Sequence, residues 1–460
     1  MRDKLGYTLG DLGCCCTEQF RAMYLSVFYT LILQVNPFHI GILMLITKIW
    51  DAVNDPIIGA IVDSRKATKG GKFIPWIRAF SFPMAVLCIL GFVNVSNLAY
   101  GLRLAYMFVT YVLYEALYTC VNVPFGTLSS VMTDDVRHRT ALSRYRSLGG
   151  TIFMTVIVMV GPLVLYVDNK PVAGRFLMLA SVFALIGLLC LQITCVWCKE
   201  RVAVPERPKG EKLNYLHVIK EIAKNKALLG VMFFSLVGMI GASVVNGLNT
   251  YLFKDYFGNV KIMAVSGGLS VLYSLITFAI TQPLADKLGK KEWCCWGAGF
   301  AAAVFALLFF FPIHNPVLFI VINGVCYLGA SGMQVLIWAM VNDSIDYHEL
   351  QTGERNEGIV YSTYSFFRKL ASAVSGSLSS FVLGFIGYNV AEGAVQTAEV
   401  SNAIWKSYTG IYVLGYGVAV AILFFVYPLT KAKTTEMLEQ LKARRAEKAS
   451  AVETDGEQCP

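Results

Sequence analysis

One apolar stretch of the chain, KIWDAVNDPIIG at residues 48–59, carries charged and amide side chains where a membrane helix tolerates almost none. Asp51 and Asp55 are spaced i, i+4, and Lys48 lies one turn before them, so a helix places all three on one stripe. Two carboxylates with the amide oxygen of Asn54 nearby suit a hard monovalent cation or a proton. The alternative interpretation is a buried lysine–aspartate pair that only holds helices together.

A second polar stripe occurs in YEALYTCVNVPFG, where Glu115, Thr119 and Asn122 are spaced i, i+4, i+7 on one helix face. For Glu115, a functional role and a structural ion pair are equally open. In the first apolar stretch, Glu18 and Arg21 lie one turn apart, and we predict that they form an intrahelical ion pair.

Another apolar run contains Lys369, which needs an acidic partner or an anionic ligand at that depth. Asp51 and Asp55 are the candidate partners. Tyr364 on the same run is a candidate for stacking on a sugar ring, although aromatic packing explains it equally well.

Membrane-spanning helices are the elements that must position these residues. The chain has 460 residues, of which 56% are hydrophobic and 15% are charged, whereas about a quarter are charged in soluble domains. Runs of about 20 apolar residues recur along the chain, which predicts a polytopic membrane protein. The twelve predicted spans are 7–33, 40–62, 76–93, 104–127, 142–166, 176–197, 228–253, 263–284, 293–313, 316–340, 359–385 and 404–427.

The charges of the loops predict the orientation of these spans. Basic residues follow spans two and eight, whereas the loops at 34–39 and 94–101 contain no Lys or Arg. The positive-inside rule therefore places both termini in the cytoplasm, in a cell-membrane protein whose net charge of +9 serves topology. The tail is predicted to be a short solvated helix with a disordered end. The predicted parts are a bundle at 1–198, a cytoplasmic loop at 199–226, a bundle at 227–430 and a cytoplasmic tail at 431–460.

The sequence lacks the motifs that several other classes of protein require. The chain contains no P-loop, so ATP does not drive it directly, and its five histidines show no metal-ligand spacing. We locate no nucleophile–base pair and no separate basic domain, so we expect neither an enzyme nor a nucleic-acid-binding protein.

An internal repeat predicts two related halves. IVDSRKATKGGK closes span two and PLADKLGKK closes span eight, and each has an aspartate followed by a basic turn that contains glycine. Asp63 and Asp286 are nearly half the chain apart. The predicted fold is an all-α membrane protein with twelve helices in two pseudo-symmetric six-helix bundles, the major facilitator architecture.

IWDAVNDPIIG followed by VDSRKATKGGKFIPWI resembles the glycoside–pentoside–hexuronide:cation symporters, the family of the melibiose permease. KLGYTLGD, YTCVNVPFGTL, NDSIDYHEL and YSTYSFFRKLASAVSG also match that family, so the resemblance covers nearly the whole chain. It implies a major facilitator fold driven by a Na+, Li+ or H+ gradient, with no other cofactor. It also implies Na+ at Asp51 and Asp55. The full implied cation site is Asp51, Asn54, Asp55 and Thr119.

Further residues follow from the same resemblance. Lys369 matches the family's lysine near the cation site, and Lys48 lies on the stripe of the two aspartates, so both are candidate coupling residues. Arg146, in SRYRSLGG, falls at the family's span-five arginine, with Arg144 as a close alternative. Tyr364 is also a candidate substrate-binding residue, from its aromatic ring and not from the resemblance.

The implied sugar site departs from the family pattern. The span-one carboxylate of the melibiose carriers falls on Cys15, their span-four carboxylate on Asn122 and their span-ten tryptophan on Gln334. Glu18 and Glu115 are candidates for replacement acceptors. Alternatively, the loss of two negative charges suits an anionic substrate such as a hexuronide.

The expected function is symport of a glycoside, hexuronide or related sugar with a cation by alternating access. The expected partners are the sugar-like solute, a monovalent cation and the lipid bilayer, with no nucleic acid, and we expect a monomer. The alternatives are a facilitator that is not coupled to a cation and a symporter of a lipid-like or other non-sugar solute.

Overall fold

The computed structural model describes residues 2–64, 70–133, 136–201, 225–352, 364, 371, 375, 377–391 and 394–456. The backbone alone is described for some helical residues, among them Asp55 and Arg144. Lys369 lies outside the described residues, as does most of the predicted middle loop.

The described chain is helical, apart from one short hairpin. The helices are α1 (Arg2–Leu31), α2 (Pro37–Ser64), α3 (Ile74–Leu90), α4 (Tyr100–Met132), α5 (Val136–Leu165), α6 (Ala173–Trp197), α7 (Lys226–Tyr251), α8 (Ile262–Leu288), α9 (Lys290–Phe310), α10 (Pro316–Ala330), α11 (Gly332–Thr352), α12 (Ala398–Phe425) and α13 (Lys431–Gly456). Residues 377–385 are also helical. A π-helical turn, Leu252–Tyr256, continues α7, and β1 (Tyr166–Val167) pairs with β2 (Lys170–Pro171).

Helical residues occur in all twelve predicted spans. Within the described residues, seven helices are long and apolar enough to cross a membrane, and α3 and the Gly149–Leu165 part of α5 are shorter apolar helices. The predicted all-α membrane fold is thereby confirmed, with helix positions consistent with twelve spans. The tail differs from its prediction, because Met437 and Leu441 on α13 are buried.

The chain folds into two compact units. Unit 1 contains the described residues of Met1–Pro208, Ser243–Leu269 and Ala373–Tyr408. Unit 2 contains those of Lys209–Ala242, Ser270–Ser372 and Thr409–Pro460. Unit 1 therefore combines α1–α6 with segments from later in the chain, and the predicted division into two sequence halves stays a prediction.

Small residues bring the helices of unit 1 into close contact. A Cβ atom on Gly13 of α1 would lie 2.8 Å from the carbonyl oxygen of Gly187 on α6. In unit 2, a separate apolar core joins α7, α11 and α12, and α13 packs against it through Met437 and Leu441. Each unit thus has a core of its own.

The repeated motif has a matching local structure in both places. α2 ends at Ser64 and α8 ends at Leu288. A glycine with positive φ follows each, Gly71 (φ +100°) before α3 and Gly289 (φ +113°) before α9. Only glycine adopts this backbone conformation readily, which accounts for the glycine in both basic turns.

The N-terminus of α3 is capped by a carboxylate from a distant part of the chain. Glu200 accepts hydrogen bonds from the backbone N–H groups of Lys72 (2.7 Å), Phe73 (2.8 Å) and Ile74 (2.8 Å). Phe73, the N-cap residue, offers no capping side chain of its own. Glu200 therefore satisfies N–H groups that a helix start leaves without partners.

We predict that Glu200→Ala lowers the free energy of unfolding by about 1.5–3 kcal/mol, because hydrogen bonds to a charged acceptor are stronger than neutral ones. The measurement is thermal unfolding of the purified protein in detergent. Glu399→Ala is the control, since Glu399 is exposed in the first turn of α12, where the interaction of a carboxylate with the helix dipole is worth about 0.3–1 kcal/mol. Equal effects of the two substitutions would contradict the capping role.

Candidate functional site

Two of the predicted cation ligands, which belong to different helices of unit 1, lie within hydrogen-bond distance of each other. Thr119 Oγ1 on α4 donates to Asp51 Oδ1 on α2 at 3.2 Å. Asn54, one turn beyond Asp51, is 5% exposed, and its Nδ2 atom has no hydrogen-bond partner among the described residues. The structure thus places one neutral oxygen, Thr119 Oγ1, beside the Asp51 carboxylate, and the buried Asn54 amide lies one helical turn along α2.

Lys48 connects this pair to a second carboxylate. Its Nζ atom lies 4.0 Å from Asp51 Oδ2 and 3.6 Å from Glu115 Oε2. Glu115 is 2% exposed, and its other oxygen lies 3.7 Å from Arg21 NH1. Arg21, Lys48, Asp51, Glu115 and Thr119 therefore form one continuous group, which we call the polar cluster.

Aromatic rings enclose the arginine of the polar cluster. The Arg21 guanidinium lies over the ring of Tyr114, 3.4 Å from its centroid, and 4.8 Å from the centroid of Tyr111. Both tyrosines are on α4 and are buried. The rings supply cation–π attraction to a guanidinium that is only 3% exposed, which offsets part of the desolvation of Arg21.

The predicted ion pair between Glu18 and Arg21 is wrong. Arg21 forms its ion pair with Glu115, and Glu18 has no ion pair among the described residues. The Oε2 atom of Glu18 is buried without a hydrogen-bond partner there. Residues one turn apart on a helix are neighbours, but a carboxylate from α4 occupies the position that the sequence assigns to Glu18.

The predicted substrate residues Cys15 and Arg146 meet at a residue that the sequence analysis missed. Asp11 Oδ1 accepts a hydrogen bond from Arg146 Nε at 3.0 Å, and Asp11 Oδ2 accepts one from the Gly150 N–H at 3.0 Å. The Cys15 thiol lies 3.8 Å from the same oxygen, and Gln19 Nε2 lies 3.4 Å from its sulfur. This end of the site therefore retains a carboxylate.

The spacing of the sequence could have identified Asp11. It lies four residues before Cys15 and seven before Glu18, so the three share one face of α1. The contact itself depends on α5, where a Cβ atom on Gly149 would lie 2.5 Å from the backbone oxygen of Thr8. Without that close approach of α5 to α1, Arg146 would not reach Asp11.

The remaining predicted substrate residues are dispersed. Asn122 on α4 is half-buried. Gln334 and Tyr364 belong to unit 2, where Gln334 is exposed. Tyr364 is 2% exposed, its hydroxyl is 2.9 Å from Ser235 Oγ, and its ring packs edge-on against Trp338.

Two predicted residues cannot be placed in this geometry. Asp55 is on α2, but its side chain lies outside the described residues, as does the whole of Lys369. Among the described residues, no group of three or more His, Cys, Asp and Glu side chains could hold a metal ion. The sodium site at Asp51 and Asp55 therefore stays a prediction.

The helical fold, with buried charges inside unit 1, defines a multi-pass membrane protein of the major facilitator fold. The crystal structure of the nucleoside transporter NupG matches with a TM-score of 0.62 at 13% identity, covering 95% of this chain and 99% of that one. The family described as MFS/sugar transport protein matches residues 6–431. The chain belongs to this family of sugar transporters.

Curated relatives match over nearly their whole length. An uncharacterized symporter, YjmB of Bacillus subtilis (strain 168), is 31% identical over 445 residues, which cover 96% of this chain and 95% of that protein. The isoprimeverose transporter of Lactiplantibacillus pentosus is 29% identical over 447 residues, which cover 96% of this chain and 92% of that protein.

We predict that Glu115→Gln lowers the free energy of unfolding by about 3–5 kcal/mol, because Arg21 and Lys48 then lose the carboxylate they share in a buried site. Thermal unfolding in detergent measures the loss. The matched control is Asp3→Asn, which removes the carboxylate of the more exposed Asp3–Arg201 pair and is worth about 0–1 kcal/mol. A Glu115 effect as small as the Asp3 effect would show that the buried pairs contribute little.

Proposed function

We propose that the protein is a secondary active transporter that couples a monovalent cation, Na+ or H+, to symport of a glycoside, hexuronide or related sugar by alternating access. Membership in a sugar-transport family and similarity to a protein named as a symporter support this proposal. Asp51, Asn54, Asp55 and Thr119 hold the cation in this scheme.

The single observation that carries the proposal is the bond between Thr119 and Asp51, with Lys48 beside it. A carboxylate, a hydroxyl and a buried amide supply hard oxygen atoms of the kind that alkali and alkaline-earth cations prefer. The ligands come from α2 and α4, so a bound cation adds a further link between two helices that the Thr119–Asp51 hydrogen bond of 3.2 Å and the Lys48–Glu115 ion pair already join. Cation binding thereby changes helix packing, which is what coupling requires.

Lys48 supplies a resident positive charge when the cation is absent. Its Nζ atom lies between Asp51 and Glu115, at 4.0 Å and 3.6 Å. A cation that binds Asp51 competes with Lys48, which then keeps Glu115 as its partner. Asp51 therefore has a positively charged partner in both states, so it is not left as a lone carboxylate in a low-dielectric environment at either step.

The sugar-binding side of the proposal rests on Asp11 and Arg146. The carboxylate of Asp11 holds Arg146 through its Nε atom at 3.0 Å. A Cβ atom on Gly126 would lie 3.7 Å from Arg146 NH1, so glycine at this position leaves space beside the guanidinium. Charged groups fixed in this way bind sugar hydroxyl or carboxylate groups with defined orientation.

A facilitator without cation coupling is the second candidate, and Lys48 favours it. With Arg21 beside Glu115, the Lys48 ammonium group balances the charge of Asp51 and removes the need for an external cation. The two functions differ in whether a sodium gradient drives accumulation.

We predict sodium-driven accumulation in proteoliposomes that contain the purified protein. Thermal stabilisation with a panel of glycosides and hexuronides, with and without Na+, first identifies a transported sugar. Uptake of that sugar, labelled, should then exceed equilibrium when Na+ is higher outside, since each ligand stabilises the binding of the other. The same vesicles with equal Na+ on both sides are the control. Equilibration without accumulation under either a Na+ or a proton gradient would establish the facilitator.

We predict that Thr119→Val lowers the apparent Na+ affinity for uptake by about 10–100-fold, because it removes one oxygen from the cation site. The matched control is Thr110→Val on the same helix, since the Thr110 hydroxyl donates to the carbonyl groups of Tyr106 and Met107 within α4. Sodium titrations of uptake compare the two variants. Unchanged sodium dependence in Thr119→Val would remove Thr119 from the site.

A further inference from the structure

The hairpin between α5 and α6 has the backbone of a tight turn with two left-handed residues. β1 and β2 are joined by Asp168 (φ +46°) and Asn169 (φ +62°). Positive φ at both central residues defines a type I′ turn, in which Asn, Asp and Gly are the favoured residues. The turn therefore explains an Asn at position 169, but not what its side chain does.

The Asn169 side chain makes two hydrogen bonds to the segment between α7 and α8. Its Nδ2 atom donates to the Lys254 carbonyl at 2.9 Å, and its Oδ1 atom accepts from the Val260 N–H at 2.9 Å. Lys254 is in the π-helical turn that ends α7, and Val260 lies just before α8. Helix ends leave such carbonyl and N–H groups without partners in their own helix. One amide thus serves both helix ends.

A second set of polar contacts stabilises the segment between α7 and α8 to which Asn169 is hydrogen-bonded. Asp255 Oδ2 accepts from the Tyr388 hydroxyl at 2.7 Å, and Lys254 Nζ lies 2.6 Å from Asp255 Oδ1. Burial and the Asp255 carboxylate raise the pKa of Tyr388 far above its usual value, so the phenol remains a donor. Ser401 Oγ on α12 donates to the Asp255 carbonyl at 3.1 Å. Asn169 is therefore hydrogen-bonded to a segment that Tyr388 and Ser401 also stabilise.

This junction joins early and late parts of the sequence inside unit 1. The hairpin comes from the first 208 residues, whereas Lys254, Val260 and Tyr388 come from the Ser243–Leu269 and Ala373–Tyr408 segments. A second contact of the same kind is Ser26 on α1 with Ser380, whose hydroxyl oxygens are 3.1 Å apart. Ser380 is fully buried.

We propose that Asn169 is a latch that keeps one end of the transporter closed, and that it must release both bonds before that end opens. The proposal rests on alternating access in the proposed function but not on the identity of the cation or the sugar. Two neutral hydrogen bonds between partly exposed groups contribute about 1–3 kcal/mol in total, which corresponds to roughly a 5- to 140-fold change in the ratio of open to closed molecules. A latch of this strength closes the end and still releases it within a transport cycle.

The variant that tests the latch is Asn169→Gly. Glycine is favoured at this position of a type I′ turn, so the substitution keeps the hairpin and deletes only the amide. Asp168→Asn is the matched control, because it changes the neighbouring turn residue and leaves both bonds of the Asn169 amide in place. Asn169→Asp is a second variant, which keeps an acceptor for Val260 but loses the donor to Lys254.

The reporter is Ser380→Cys, combined with each variant in protein reconstituted in lipid nanodiscs. Mass spectrometry follows maleimide labelling at residue 380, which separates it from the native cysteines. We expect Asn169→Gly to accelerate labelling about fivefold or more and Asn169→Asp to accelerate it as well, with Asp168→Asn equal to the reporter alone. Equal labelling in all four proteins, or the same acceleration by Asp168→Asn, would overturn the proposal. Labelling needs neither sugar nor Na+, so this result is independent of whether cation coupling is found.

Discussion

The packing of unit 1 depends on how its buried charges are paired. The central partner is the Glu115 carboxylate, which lies near both Arg21 and Lys48. A lone ion in a low-dielectric interior costs several kcal/mol even after relaxation. Glu115 lies within 3.7 Å of Arg21 and 3.6 Å of Lys48, and Lys48 in turn reaches Asp51. The described polar cluster thus balances two cations against two carboxylates. Helices α1, α2 and α4 are held at the spacing that keeps these pairs together.

A network of this kind differs from an isolated salt bridge because its partners can be exchanged. Lys48 has two carboxylates within 4.0 Å, so a change at Asp51 does not leave it without a partner. Arg21 is held independently by the face of Tyr114. The cluster can therefore respond to a ligand at Asp51 while the packing of α1 against α4 persists. Such exchange is the physical basis that the proposed coupling requires.

The sequence predicted the helices well and their contacts unevenly. Hydropathy and spacing located the spans, and the i, i+4 stripe on α2 with Thr119 on α4 led to a pair that is 3.2 Å apart. The prediction of a Glu18–Arg21 ion pair was wrong, and the role of Asp11 was missed. Both contacts depend on which neighbouring helix packs against α1. Periodicity specifies a face of a helix, but the partner of that face follows from packing, such as the α1–α5 contact at Gly149.

Unit 1 satisfies its backbone in the same way at both ends of α1. Near the start of α1, Glu200 caps α3 through three N–H groups, and Arg201 pairs with Asp3. Asn169 lines the same cavity as Leu31 at the other end of α1, a 30-residue helix about 45 Å long, and it bonds the Lys254 carbonyl and the Val260 N–H. At both ends, side chains thus form hydrogen bonds with backbone groups that have no partner within their own helix. The charged cap is the stronger of the two and the neutral amide the weaker, so the two hydrogen bonds of Asn169 break more easily than the three that Glu200 accepts.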